Sequence, residues 1–177
     1  MPRYVAFLRG MNLGGRRIQN PELCAAFERL ELADVSAFLA SGNVVFEAEG
    51  AEPKVRDLLE KGLADELGYE VPTFLRRADQ VRDIAGREPF ANRAGADARG
   101  KLQVVFLQKA PTKAGRGVVA TLDGDDDWLE VRGREVFWWP RGGLSESELD
   151  LKALVKGVGQ TTIRTMRTVK RLVAKFL

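Results

Sequence analysis

Apolar and polar positions along this 177-residue chain follow two periods, one near two and one near 3.6. Residues 3–9 (RYVAFLR) are apolar toward both faces, the pattern of a central strand buried from both sides. Asn20-Pro21-Glu22 then reads as a helix start, with Asn able to cap and Pro suited to the first turn, where its missing N–H is not needed. Leu23, Phe27 and Leu30 fall on one face of that helix, which the pattern carries to about Leu32. VSAFLA (35–40) and NVVFEA (43–48) predict two strands joined at Ser41-Gly42. Pro53 opens a second helix with Val55, Leu58, Leu59, Leu63 and Leu67 inward, and Gly68 closes it. A strand over 71–76 (VPTFLR) completes the order β-α-β-β-α-β, the ferredoxin-like split unit.

The second half repeats that rhythm. Asp79 is placed to cap a short helix ending near Gly86, and 88–100 (EPFANRAGADARG) reads as a polar linker. LQVVFL (102–107) predicts a buried strand, and Thr112 a cap for a helix weakened by Gly115 and Gly117. WLEVRGREVFWW (128–139) predicts a hairpin turning at Gly133, after which Ser145 or Ser147 caps a helix through Leu154. In the closing TMRTVKRLVAKFL, Met166, Val169, Leu172, Val173 and Phe176 share one helical face. Arg167, Lys170, Arg171 and Lys175 lie largely on the other. The expectation is an α+β chain of two ferredoxin-like halves with antiparallel sheets, residues 1–78 and 79–177, the second ending in a C-terminal amphipathic helix.

Composition narrows the chemistry. There is no histidine and one cysteine, which removes Ser-His-Asp and Cys-His catalysis, His-containing zinc sites, thiolate clusters and internal disulfides. Carboxylate, Lys, Tyr, Ser and Arg chemistry remain, as does binding without chemistry; no cofactor and no metal is expected. Cys24, beside Leu23 and Phe27, reads as a core thiol, and its solitude suits a reducing cytoplasm. No apolar run reaches the ~20 residues of a membrane span, and the opening apolar stretch is too short for a signal peptide. Net charge is +3, too mild by itself to imply nucleic acid. Its distribution says more, because residues 151–177 hold seven Lys or Arg and no Asp or Glu.

Five stretches carry candidate chemistry. Gly10–Arg17 spells G-x-x-x-x-G-R-R, short of a phosphate-binding P-loop because Lys and a metal-ligating Ser or Thr are missing. Its parts still suit an anion, with Gly14 and Gly15 allowing close backbone approach and Arg9, Arg16 and Arg17 offering forked donors. Ser41-Gly42-Asn43 sets a hydroxyl and an amide at a hairpin tip, where plain turn chemistry explains them equally. On the 128–139 hairpin, alternation puts Phe137 and Trp139 on one face and Trp138 on the other, for core packing or for stacking a planar ligand. Asp123, Asp125 and Asp127 lack the Gly and Glu of a calcium loop and read as a solvated turn. The basic closing helix reads first as a docked amphipathic helix, second as a surface for a nucleic-acid backbone or an anionic membrane.

With 4–15 (YVAFLRGMNLGG) and 41–46 (SGNVVF) in view, the chain resembles a bacterial family known as domain of unknown function 1697. Members of that family open with a strand and an L-R-G-[IM]-N-[VL]-G-G loop, then a Pro-started helix and an S-G-N-V-[VI]-F hairpin. The resemblance implies a cytoplasmic ferredoxin-like α+β protein and brings no activity. It implies that Arg9, Gly10, Asn12, Gly14, Gly15, Ser41, Gly42 and Asn43 form a common surface. Relatives tend to carry G-x-G-R-S-K-L after the second hairpin; here residues 143–149 (GLSESEL) place Glu at both basic positions. Three functional readings stand. The first is a binding protein in which the loop after the first strand (Arg9, Gly10, Asn12, Gly14, Gly15, Arg16), with Ser41, Gly42 and Asn43, holds an anion such as a nucleotide or nucleic-acid phosphate. The second is a metal-independent enzyme using a carboxylate at that place, and the third a protein-interaction module.

Overall fold

The computed structural model describes residues 1–12, 14–40, 42–93 and 102–177. Ser41 and residues 94–100 of the expected linker lie outside the described residues. The chain divides into two compact units, Met1–Arg82 with Phe176–Leu177, and Asp83–Lys175. Strands β1 (Arg3–Leu8), β2 (Ala33–Phe38), β3 (Asn43–Glu47) and β4 (Thr73–Arg77) form the first antiparallel sheet, in the order β2-β3-β1-β4. Helices α1 (Asn20–Glu28) and α2 (Glu52–Leu67) cover one face of it, and α3 (Ala78–Gly86) follows β4. Tyr4, Ala6 and Leu8 point into the helix-side core with Phe27, Phe46, Leu59 and Leu63. Val5 and Phe7 point the other way and are equally buried, so β1 is enclosed on both faces.

The second sheet repeats the plan with β5 (Gln103–Leu107), β6 (Asp127–Arg132), β7 (Glu135–Pro140) and β8 (Thr161–Thr165), in the order β6-β7-β5-β8. Helices α4 (Lys113–Leu122) and α5 (Leu151–Val158) lie over the core of Val105, Leu107, Leu129, Val136 and Trp138, and α6 (Met166–Phe176) follows β8. The ladders correspond residue by residue. Val5 faces Val45 and Arg76, while Val104 faces Phe137 and Arg164. Leu8 N–H donates to the Gly42 carbonyl at 2.8 Å, and Leu107 N–H to the Arg134 carbonyl at 2.9 Å. No described helix is long and apolar enough to cross a membrane.

Several local expectations are corrected. Helix α1 begins after Gln19 rather than Asn20 and stops at Glu28, because the chain takes a positive φ of 61° at Glu31 before β2. Leu58 is exposed, lying one position off the inward stripe of Val55, Leu59 and Leu63. Asp79 sits inside the first turn of α3, and Arg77 N–H donates instead to the Gln80 side chain at 2.9 Å. Asp150, not Ser145 or Ser147, caps α5 by accepting from Ala153 N–H at 2.9 Å. Strand β8 has no counterpart in the sequence reading. Its residues TTIRT look polar, yet Arg164 is buried and donates to Thr162 Oγ1 at 2.8 Å and to the Ile163 carbonyl at 2.9 Å. Burial lowers the Arg164 guanidinium to about 10, which leaves it charged at neutral pH.

The acidic run at 123–127 is not a solvated turn either. Asp123 accepts both Arg93 guanidinium nitrogens, at 3.0 and 2.8 Å, and Leu129 N–H at 2.8 Å. Asp127 is buried and accepts from Trp138 Nε1 and Ser147 Oγ, each at 2.7 Å. Thr112 does cap α4, accepting from Gly115 N–H at 3.1 Å. Gly115 is there for packing, since a Cβ on it would stand 2.6 Å from the Gly157 carbonyl of α5.

Two predictions follow from this packing. Gly115→Ala should destabilise by about 1–3 kcal/mol despite its better helix propensity, because backbone blocks the new methyl. Gly117→Ala meets open space and should stabilise by up to ~1 kcal/mol; urea midpoints of the two variants moving the same way would contradict this. For Asp123, burial pushes the carboxyl up. Hydrogen bonds from Arg93 and from Leu129 N–H, with the Arg93 charge, outweigh that and hold it below its ordinary 3.8. A carboxyl lowered by folding contributes stability above its unfolded value and loses it as pH falls through the folded value. Asp123→Asn should therefore be less stable than wild type at pH 7, the gap narrowing below about pH 4. A gap constant across an acid titration of the urea midpoint would refute the pairing.

Candidate functional site

The β1–α1 connection leaves β1 at Arg9, whose N–H donates to the Pro72 carbonyl at 3.0 Å and whose side chain is exposed. Its first residues pack against the β2–β3 tip. Gly42 holds a φ of 71°, and a Cβ there would stand 2.8 Å from Met11 Cγ and 3.1 Å from Leu8 Cβ. The Asn12 side chain donates to the Ala40 carbonyl across the same contact. Asn43 is fully buried and donates from Nδ2 to the Phe38 carbonyl at 2.9 Å, which closes the tip. Asn12, Gly42 and Asn43 are thus brought together with the head of the loop, and these amide bonds brace the chain.

The tail of the loop goes elsewhere. Gly10, Gly14 and Gly15 all take positive φ, and no atom lies within 4 Å of a Cβ built on any of them. Beyond them the Arg16 guanidinium lies over the Tyr69 ring, 4.1 Å from its centroid. Tyr69 is placed there because Gly68, in the left-handed conformation, turns the chain out of α2. Arg16 and Tyr69 line a hollow of about 400 Å³ in the first unit, whose other cations are Arg17 and Arg29. Ile18 and Leu67 supply apolar wall, and Glu22 and Glu66 the acidic groups. Arg9, Asn12, Gly42 and Asn43 do not line it.

The charges in the hollow are unequally committed. Glu66 is ion-paired with Arg29, and Glu22 accepts from Gln19 N–H at 3.1 Å, which caps the start of α1. Pro21 supplies no N–H, so little of that helix terminus is left to hold a ligand. Arg9, Arg16 and Arg17 form no ion pair among the described residues. Nothing short-range links Arg16 to Tyr69 or Arg29, which is why residue type marked the loop but not its partners.

The remaining candidates are absorbed by structure. Trp138 faces the helix-side core. Trp128 and Trp139 meet edge to face at 4.9 Å with Phe90 beside them, and the Arg93 and Arg141 guanidiniums stand 5.1 and 5.3 Å from the Trp128 ring. Both tryptophans are buried, so this is packing and not a platform for stacking. Among the described residues no group of three or more Cys, Asp or Glu is arranged to hold a metal ion.

Comparison with known proteins agrees with this architecture. The conserved bacterial protein SP0830 from Streptococcus pneumoniae matches with a TM-score of 0.72 at 19% identity, over 98% of this chain and 97% of that one. At that identity the likeness is one of fold. No curated protein matches the chain. A family model described as a protein of unknown function (DUF1697) matches residues 1–137, which include the loop and the hairpin tip packed upon it. The chain belongs to the DUF1697 family.

Proposed function

We propose that this protein binds a small phosphate-bearing anion of nucleotide size in the hollow at the tail of the β1–α1 loop. The observation that carries the reading is the Arg16 guanidinium held over Tyr69 beside Arg17 and Arg29, around one accessible space. Stacking fixes the plane of Arg16 before a ligand arrives, which reduces the ordering penalty of a forked contact to phosphate. A volume of about 400 Å³ falls in the range of small-ligand sites. Gly14 and Gly15 leave open space beside the main chain next to the arginines, and Arg9 adds positive charge at the head of the loop. In this reading Gly10, Asn12, Gly42 and Asn43 hold the loop against the sheet.

The repeated architecture supports the reading. The second unit makes the same strand-to-helix connection with the five residues 108–112, whereas the first uses the eleven residues 9–19. The extra length is therefore not demanded by the fold, and it is where the glycines and arginines concentrate. Glu22 and Glu66 face the hollow but are already engaged, which favours binding over proton transfer.

Isothermal titration with adenosine monophosphate and with inorganic phosphate, at 50 and 200 mM salt, tests this. Affinity should fall as salt rises, and Arg16→Ala should weaken it about tenfold or more, the usual loss for a charge-assisted contact. Tyr69→Ala should weaken it less, by releasing Arg16. Affinity unchanged in Arg16→Ala, or no heat with either probe at 50 mM salt, would contradict the proposal.

A further inference from the structure

The charges around the hollow in the first unit fall into three groups. Arg29 and Glu66 neutralise each other as an ion pair between α1 and α2. Arg16 and Arg17 form no ion pair among the described residues, and Arg16 is held over the Tyr69 ring. Glu22 is the third. It lines the same hollow, forms no ion pair among the described residues, and commits only Oε2, which accepts from Gln19 N–H at 3.1 Å. An ionised carboxylate accepts at about four lone-pair sites and donates at none, so most of its capacity stays open.

That carboxylate does not suit a site for phosphate alone. Its place in the first turn of α1 is favoured by the helix dipole, and its bond to Gln19 N–H closes the cap. Neither accounts for an uncompensated negative charge on the wall of a hollow that also holds two uncompensated guanidiniums. A bare phosphate drawn to Arg16 and Arg17 meets a like charge there and leaves it unmatched, which works against binding. A ligand that is anionic at one end and donates hydrogen bonds at the other satisfies both ends of the hollow.

We infer, resting on the reading that the hollow takes a mononucleotide phosphate, that the base it selects is guanine and that Glu22 selects it. Guanine presents N1–H and N2–H side by side, two parallel donors that match the two oxygens of a carboxylate. Adenine presents one donor beside the N1 acceptor, and a carboxylate repels that acceptor. Cytosine has the same defect, with a single amine beside an acceptor nitrogen. Ile18 and Leu67 supply apolar wall for the faces of the ring, and about 400 Å³ accommodates a purine with its phosphate. In this arrangement Arg16 and Arg17 hold the phosphate of any mononucleotide, and Glu22 discriminates among the bases.

Isothermal titration of the full chain with guanosine, inosine and adenosine monophosphates at 50 mM salt tests it. Wild type should bind the guanine nucleotide about tenfold more tightly than the adenine nucleotide, the usual discrimination of a bidentate base contact. Inosine monophosphate keeps N1–H and lacks the N2 amine, so it should fall between them. Glu22→Gln retains a capping side chain and removes the charge. It should bring the guanine and adenine nucleotides within threefold of each other, chiefly by weakening the first. The comparison of ligands on wild type stands whether or not that variant folds. Binding of both nucleotides within threefold on wild type would overturn the inference, as would a tenfold preference that survives in Glu22→Gln. Equal binding that still weakens in Arg16→Ala removes guanine selection and leaves the phosphate reading in place, whereas no heat with any of the three removes both.

Discussion

The central strand of each unit is hydrogen-bonded along both edges and enclosed on both faces, and this double burial governs what the rest of the chain can do. β1 lies between β3 and β4, and β5 between β7 and β8. Tyr4 through Leu8 and Val104 through Leu107 are almost wholly withdrawn from water. Burying four to five such side chains, at about 1.5–3 kcal/mol each relative to exposure, is a large term beside the marginal stability of a domain. It also leaves no open surface on these strands for a ligand. Accessible chemistry is therefore confined to the connections at the strand ends and to the outer faces of helices.

Within that limit, the two copies of the frame are informative where they diverge. Strand register, the N–H bond to the hairpin tip and the helix after the last strand all recur. Two features do not. The first unit lengthens its β1–α1 connection with glycines and arginines, and the second replaces the balanced outer charges of its last helix with cations. Both departures add positive charge at solvent-facing positions that the shared fold leaves free to vary. A common architecture thus separates residues that hold the sheet from solvent-facing positions at which the two copies differ.

Much of the fold was legible because its signals are local. The double-sided apolar pattern of β1, Pro53 and Gly68 at the two ends of α2, Thr112 before α4 and Gly133 in the β6–β7 turn each act within a few residues. The failures were long-range. Strand β8 hides an arginine satisfied by a threonine two residues away, which a polarity pattern reads as exposed loop. Asp123 and Asp127 look solvated until Arg93, Trp138 and Ser147 arrive from distant segments. The candidate site divides the same way. Glycine and arginine content marked the loop from Gly10 to Arg17, whereas Tyr69, Arg29 and Glu66 reach the hollow only through the packing of α1 on α2.

The proposed function requires that the lengthened loop be the place where an anion is held. Titrating the nitrogen-15-labelled full chain with adenosine monophosphate, and mapping amide shifts by residue, addresses that directly. Saturable shifts centred on Gly14, Gly15, Arg16, Arg17 and Tyr69, with residues 108–112 unmoved, are the predicted result. Shifts absent from the loop, or spread alike over both strand-to-helix connections, would contradict it.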